Sequence, residues 1–131
     1  MGNLGAYLRP VPAGKTKEFY LENFKDEKGE KIPFVVKAIT PKENDGIVKR
    51  NTVKGVFNNA TYINEMIVTC METPNLKDAE LCSFYGVMDP TEVPGLMFTI
   101  GEKNLVMDAV SEILEGNGGL TDKIEDNALG L

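Results

Sequence analysis

Residues 24–51, FKDEKGEKIPFVVKAITPKENDGIVKRN, decide the fold. Asp26-Glu27-Lys28-Gly29 is turn chemistry, with Gly29 free to take a positive φ. From Lys31 to Ile39 the apolar residues alternate. Ile32, Phe34, Val36 and Ala38 share one face, and Val35 and Ile39 the other, which reads as a strand. Before the turn, Lys17 to Phe24 forms a second strand, with Phe19 and Leu21 on one face and Tyr20 and Phe24 on the other. Together they predict a β-hairpin. At Thr40 the period changes. Thr40 suits a helix N-cap, Pro41 the first helical position, and Glu43 can close a capping box, so a helix is expected to run to about Arg50. Gly46 inside it costs about 1 kcal/mol relative to alanine, so packing of Ile47 and Val48 must hold it.

Working outward, residues 1–16 read as a short apolar anchor (Leu4, Tyr7, Leu8) followed by a loop. On the C-terminal side a helix is expected over Thr61 to Glu72. Its residues Tyr62, Ile63, Met66, Ile67, Cys70 and Met71 lay a wide apolar face along three turns. Thr73-Pro74 ends it. Asn75 can cap a shorter helix, Leu76 to Tyr85, that buries Leu76, Ala79 and either Leu81 or Cys82 and stops at Gly86. Asp89-Pro90-Thr91-Glu92 starts a brief helical turn, broken by Pro94-Gly95. The last helix, about Glu102 to Glu115, repeats the apolar spacing with Leu105, Val106, Ala109, Val110, Ile113 and Leu114. The expected fold class is α+β: a small, mainly helical domain with an N-terminal β-hairpin, over residues 1–116, and then a flexible acidic tail, 117–131.

The bulk properties narrow the function. The chain has 131 residues, 42% of them hydrophobic, enough for one domain with a packed core. Its net charge of −6 opposes a nucleic-acid surface or adhesion to an anionic membrane, leaving cationic or mainly apolar partners. No run approaches the roughly 20 apolar residues of a membrane span. The first residues carry neither the basic and apolar regions of a secretory signal nor a serine or threonine at position 6 for myristoylation. With two cysteines on apolar faces, buried free thiols and a cytoplasmic location are expected.

Enzymatic readings find little support. There is no histidine, so acid–base work would fall to carboxylates, lysine or tyrosine. The nearest carboxylate groups are Asp26-Glu27-Glu30, on the turn, and Glu43-Asp45, in a first helical turn. Solvation and the helix dipole explain acidic residues at both places. Glu43-Asn44-Asp45-Gly46 lacks the alternating ligands and closing glutamate of a calcium loop. Cys70 and Cys82 have no histidine partner for zinc or for nucleophilic work. No catalytic, cofactor or metal residues are therefore assigned. Met66 and Met71 belong to the core stripe, whereas Met97, Phe98 and Met107 fall off the stripes the core should claim. They are the candidate partner-binding residues, since flexible thioethers suit a surface that accepts varied apolar helices. Gap-filling within the core is the plainer explanation of such methionines.

The order of these features resembles the XkdN-like tail assembly chaperones of phages and defective prophages of Gram-positive bacteria. The resemblance is carried by Leu4 to Pro10, Phe24 to Phe34, Ile39-Thr40-Pro41-Lys42-Glu43-Asn44-Asp45, Pro74 to Leu81, Tyr85 to Pro90 and Gly101-Glu102. It spans roughly residues 4–115. Each motif is mostly turn and cap chemistry, and their order carries the weight. The chain departs from the family at Gly46, at Asn51-Thr52, where Cys-Thr is common, and at Pro94-Gly95, which interrupts a usually continuous helix. The resemblance implies a non-catalytic protein of the bacterial host cytoplasm, absent from the mature virion, that keeps the tape measure protein soluble. It also implies tail tube protein as a partner through a frameshifted longer form, and a homo-oligomer is compatible with it. The alternatives from other classes are a structural or adaptor protein retained in the tail and a small carboxylate-dependent enzyme.

Overall fold

The computed structural model describes residues 4–8 and 14–115. The hairpin is as the sequence predicts: β1, Thr16–Lys25, pairs antiparallel with β2, Lys31–Lys37. Asp26 organises the turn, its carboxylate accepting from the Lys28 and Glu30 amides at 2.8 and 3.0 Å, while Gly29 takes φ +82°. Pairing continues past β2, because the Ala38 amide donates to the Lys15 carbonyl at 2.7 Å. Ala38 and Ile39 are thus buried in the link to the next helix, beyond the strand expected to include them.

One face assignment changes. Tyr20 faces Pro33 but Lys25 faces Lys31, so the register slips in a bulge between Tyr20 and Lys25. The extra residues reverse the alternation. Phe24 therefore turns to the side of Phe19 and Leu21 rather than of Tyr20, and its ring meets Phe34 edge-on at 5.1 Å. Ile32, expected to share the buried face of Phe34, is exposed at the strand's start.

Helix α2, Pro41–Arg50, has the expected reciprocal cap: Thr40 Oγ1 accepts from the Glu43 amide at 3.2 Å, and Glu43 Oε1 accepts from the Thr40 amide at 2.9 Å. Ile47 is buried and Val48 half-buried. At its end Asn51, itself buried, donates from Nδ2 to the Ile47 carbonyl and to Glu65. A small hairpin follows, β3 (Thr52–Val53) with β4 (Val56–Phe57), around Lys54-Gly55, both at positive φ. That is the backbone a two-residue hairpin turn needs.

Helix α3 runs Asn59–Cys70 with Asn58 as its cap, two residues earlier than expected at each end. Met71 does not continue it. Residues Met71–Thr73 form β5, which pairs antiparallel with β2 (Val36 with Met71, Val35 with Thr73), so the sheet has three strands in the order β1-β2-β5. A buried side chain serves a strand as well as a helix stripe, and the sheet claims this one.

Asn75 caps only a turn, accepting from the Lys77 amide. Asp78 caps α4, Ala79–Tyr85, holding the Glu80 and Leu81 amides. Leu76 and Cys82 are buried, whereas Ala79 is exposed. Gly86 ends the helix in the left-handed conformation, φ +70°. Pro94-Gly95 does not break the next segment. After a 3-10 turn at Pro90–Glu92, α5 runs Val93–Met97 with Pro94 in its first turn, where the missing N–H costs nothing.

Helix α6, Ile100–Glu115, opens with a second capping box. Thr99 and Glu102 exchange bonds at 2.8 and 3.1 Å. Val106, Ala109, Val110 and Ile113 are buried against the sheet side, while Leu105 and Leu114, expected on the same face, are exposed. Leu4, Tyr7 and Leu8 form a four-residue helix, α1 (Leu4–Tyr7), and its following residue; all three are exposed, so they anchor nothing within the monomer. The expected tail, 117–131, lies outside the described residues. The α+β class stands: a β-hairpin at the N-terminal side, then mainly helices.

Candidate functional site

The three candidate residues sit where α5 turns into α6, and on α6 itself. Phe98 follows α5 in an extended conformation, its amide donating to the Pro94 carbonyl at 3.2 Å. That carries the ring inward, 5.8 Å from Phe24 and 6.0 Å from Phe34. Phe98 is 6% exposed and belongs to the core, contrary to its expected place off the buried stripes. The physical reason is the unbroken α5: the short helix sets Phe98 at the sheet face. Met97 and Met107 are half-buried against the same core. The three are near the core's margin and do not form a free surface by themselves.

The exposed apolar side chains lie beside them in sequence. Between α4 and the start of α6 stand Phe84, 81% exposed, Met88, 99%, Leu96, and Ile100, 82%. Helices α4 and α5 are in contact, so this stretch is a connected part of the fold. Phe84 packs only edge-on against its neighbour Tyr85, at 4.9 Å. Residues 78–101 contain Asp78, Glu80, Asp89 and Glu92 and no lysine or arginine. Asp78 and Asp89 are pinned by capping: Asp89 accepts from the Thr91 amide at 3.0 Å and from its hydroxyl at 2.8 Å. The segment is thus rich in exposed apolar side chains and anionic. Phe84, Leu96 and Ile100 escape a reading by periodicity because α4 and α5 are only seven and five residues long and Ile100 is the first residue of α6, so the choice of face depends on how the helices dock.

The polar groups offer little chemistry. A recess of about 140 Å³ lies where α2, α3 and the 3-10 turn meet, lined by Asn51, Thr61, Asn64, Glu65, Thr91 and Glu92. Its innermost carboxylate is already engaged, since Glu65 accepts from Arg50 Nε at 2.6 Å and from Asn51 Nδ2 at 2.9 Å. Glu102 is 8% exposed, and bonds from the Thr99 amide, Asn23 and the Thr99 hydroxyl favour its charged form, holding its carboxyl below the usual 4.5. Those bonds are structural. The thiols of Cys70 and Cys82 are free and buried, and burial pushes that of Cys70 up to about 12, far from a reactive thiolate. Among the described residues no three His, Cys, Asp or Glu side chains gather as a metal site, and no buried side-chain polar atom lacks a partner.

Comparison with known proteins agrees with this arrangement. A protein of Bacillus subtilis (strain 168) named "Uncharacterized protein YqbN" is 30% identical over 114 residues, covering 80% of this chain and 74% of its own. The crystal structure of the protein YqbN superposes with a TM-score of 0.63 at 26% identity, over 79% of this chain and 87% of that one. Residues 8–128, most of the chain and all of the region from β1 to α6, match the family described as phage XkdN-like tail assembly chaperone protein. The chain belongs to that family of phage tail assembly chaperones.

Proposed function

We propose that this protein acts without catalysis, by binding the tape measure protein of its phage or prophage and keeping it soluble while the tail is built. Membership of the tail assembly chaperone family carries the reading, and the exposed run Phe84, Met88, Leu96 and Ile100 supports it. A long, apolar, helical client calls for repeated weak apolar contacts rather than one tight pocket. Side chains open to solvent on α4, in the link after it, on α5 and at the start of α6 offer such contacts. Met97 and Met107, half-buried beside them, would adapt the rim to varied side chains. The acidic surroundings keep the free chaperone in solution. In this reading the protein works in the host cytoplasm and leaves before the virion is finished. A longer frameshifted form would bring tail tube protein to the same complex.

Co-expression with the neighbouring tape measure protein tests the proposal. The expected result is a soluble complex recovered by pull-down, with the tape measure insoluble when made alone. A tape measure equally soluble by itself, or no recovered complex, overturns the reading. Mass spectrometry of purified tails separates an assembly factor from a retained adaptor, because abundant copies in mature particles fit only the latter.

A further inference from the structure

The hairpin of β3 and β4 turns an apolar face to water. Thr52 lies opposite Phe57, and Val53 opposite Val56. Residues opposite each other in an antiparallel pair share a face. The face of Thr52 and Phe57 is held to the protein: the Thr52 hydroxyl donates to the Val48 carbonyl at 2.8 Å, and the Phe57 ring lies 5.3 Å from that of Tyr62. Val53 and Val56 stand on the other face, both open to solvent. A two-stranded ribbon with nothing laid over it is marginal in water, yet this one carries valine at both outward positions. Its surroundings are basic. Residues 46–64 hold Lys49, Arg50 and Lys54 and no acidic residue. Arg50 is paired with Glu65, whereas Lys49 and Lys54 are exposed and pair with no described carboxylate.

We propose that this cationic, apolar face is the docking surface for the chain's own C-terminal segment, residues 117–131. The occupant follows from charge and from where the chain leads. Beyond α6 the sequence continues through residues 116–131, where Leu120, Ile124, Leu129 and Leu131 are interleaved with Asp122, Glu125 and Asp126 against the one base Lys123. That segment is apolar and anionic, the complement of the hairpin. The stretch with Phe84 and Ile100 exposed lies within residues 78–101, which hold four carboxylates and no base, so it repels such a segment. The N-terminal arm is a four-residue helix, too short to be a platform by itself. Reach permits the contact. Glu112 of α6 bonds Lys17, and Lys17 lies opposite Val36, so α6 ends beside the part of the sheet from which the chain leaves for α2. The link of residues 38–40 adds at most about 10 Å, and the ten residues of α2 about 15 Å. Residues 116–131 can extend to about 50 Å. The covalent tether, not reach, selects the same chain over a second copy, because it holds the segment at a local concentration on the order of millimolar. The inference concerns this chain alone and does not rest on the client's identity.

Paramagnetic broadening in the full chain tests it. A nitroxide is attached through Asn127→Cys; Cys70 and Cys82 are buried, and the wild type treated alike is the control. The amide signals of Val53 to Phe57 are expected to be lost with the active label and to return when it is reduced, while those of residues 84–100 stay sharp. In a mixture of isotope-labelled chain without nitroxide and unlabelled chain bearing it, the hairpin signals are expected to survive. Lys49→Glu with Lys54→Glu should restore the signals, as should Asp122→Lys with Glu125→Lys, and the four substitutions combined should broaden them again. All four stand outside the described core, so each variant keeps the fold, which circular dichroism checks. Sharp hairpin signals in the labelled chain overturn the proposal. Broadening in the mixture, which means docking between copies, overturns it too, as does a combined charge reversal that fails to restore the effect.

Discussion

Replacing Phe98 with alanine separates a core residue from a surface one at the α5–α6 joint. Phe98 is 6% exposed, and its ring lies 5.8 Å from Phe24 and 6.0 Å from Phe34, so truncation opens a void in an aromatic cluster that the rigid sheet cannot collapse to fill. Phenylalanine to alanine at such a place costs about 3–5 kcal/mol, which includes the lost ring–ring contacts. Against a total stability of roughly 5–15 kcal/mol for a domain, that is a large fraction. It corresponds to a fall in Tm of about 10–20 °C for a chain of this size. Two residues away, Leu96 is 57% exposed, and Leu96→Ala should shift stability by no more than about 0.5 kcal/mol. Urea unfolding followed by circular dichroism reads both, with the slope m unchanged if the unfolded chain is the same. A loss below about 1 kcal/mol for Phe98→Ala, on the scale of ordinary surface substitutions, would refute the placement of Phe98 in the core. So would an equal loss for Leu96→Ala.

Four further outcomes follow from the local geometry. Thr40→Ala removes the α2 cap and should cost about 1 kcal/mol in the same unfolding assay, because the Glu43 amide loses its acceptor. The folded-state pKa of Glu102 is lowered, so its contribution is fully present above the ordinary value of 4.5 and is lost as the pH falls through the folded value. Stability measured against pH should therefore decline less on acidification in Glu102→Gln than in the wild type, and an identical decline would contradict the bonds drawn to that carboxylate. Cys70, buried with its thiol raised to about 12, should resist alkylation in the native protein at neutral pH and react on unfolding, which mass spectrometry of labelled protein follows. Gly86→Ala should cost about 1 kcal/mol through the left-handed backbone alone, since a Cβ there meets no neighbouring atom.

What could be read from the chain was what its chemistry decides locally. Thr40, Pro41 and Glu43 specify a helix start through contacts within four residues, and the turn at Asp26 to Gly29 does the same for the hairpin; both are as expected. Thr99 and Glu102 spell the same box, although helical spacing alone shows only where the pattern of α6 begins. The misplacements belong to long-range packing. Nothing local marks Met71 as a strand residue, because a three-residue strand has no period and its apolar side chain also completes the α3 stripe. Phe24 changes face through a bulge that exists only once β2 is beside it. The surface is the least legible part. Phe84, Ile100, Leu105 and Leu114 have the same chemistry as core residues, and only the docking of neighbouring helices decides which of them water sees.

The junction between α3 and β5 bears on how the protein is made. Val36 pairs with Met71 and Val35 with Thr73, so the inner strand of the sheet lacks its second neighbour until synthesis has passed Thr73. Before that point the emerging chain holds a two-stranded ribbon, marginal in isolation, with the backbone edge of its most apolar strand open. Translation delivers residues one by one, and an open apolar edge is a template for pairing with another chain. A polypeptide cut short anywhere within α3 is therefore a hazard to its siblings rather than a weakened copy of them. This tail assembly chaperone must itself be synthesised past Thr73 before its own sheet is closed.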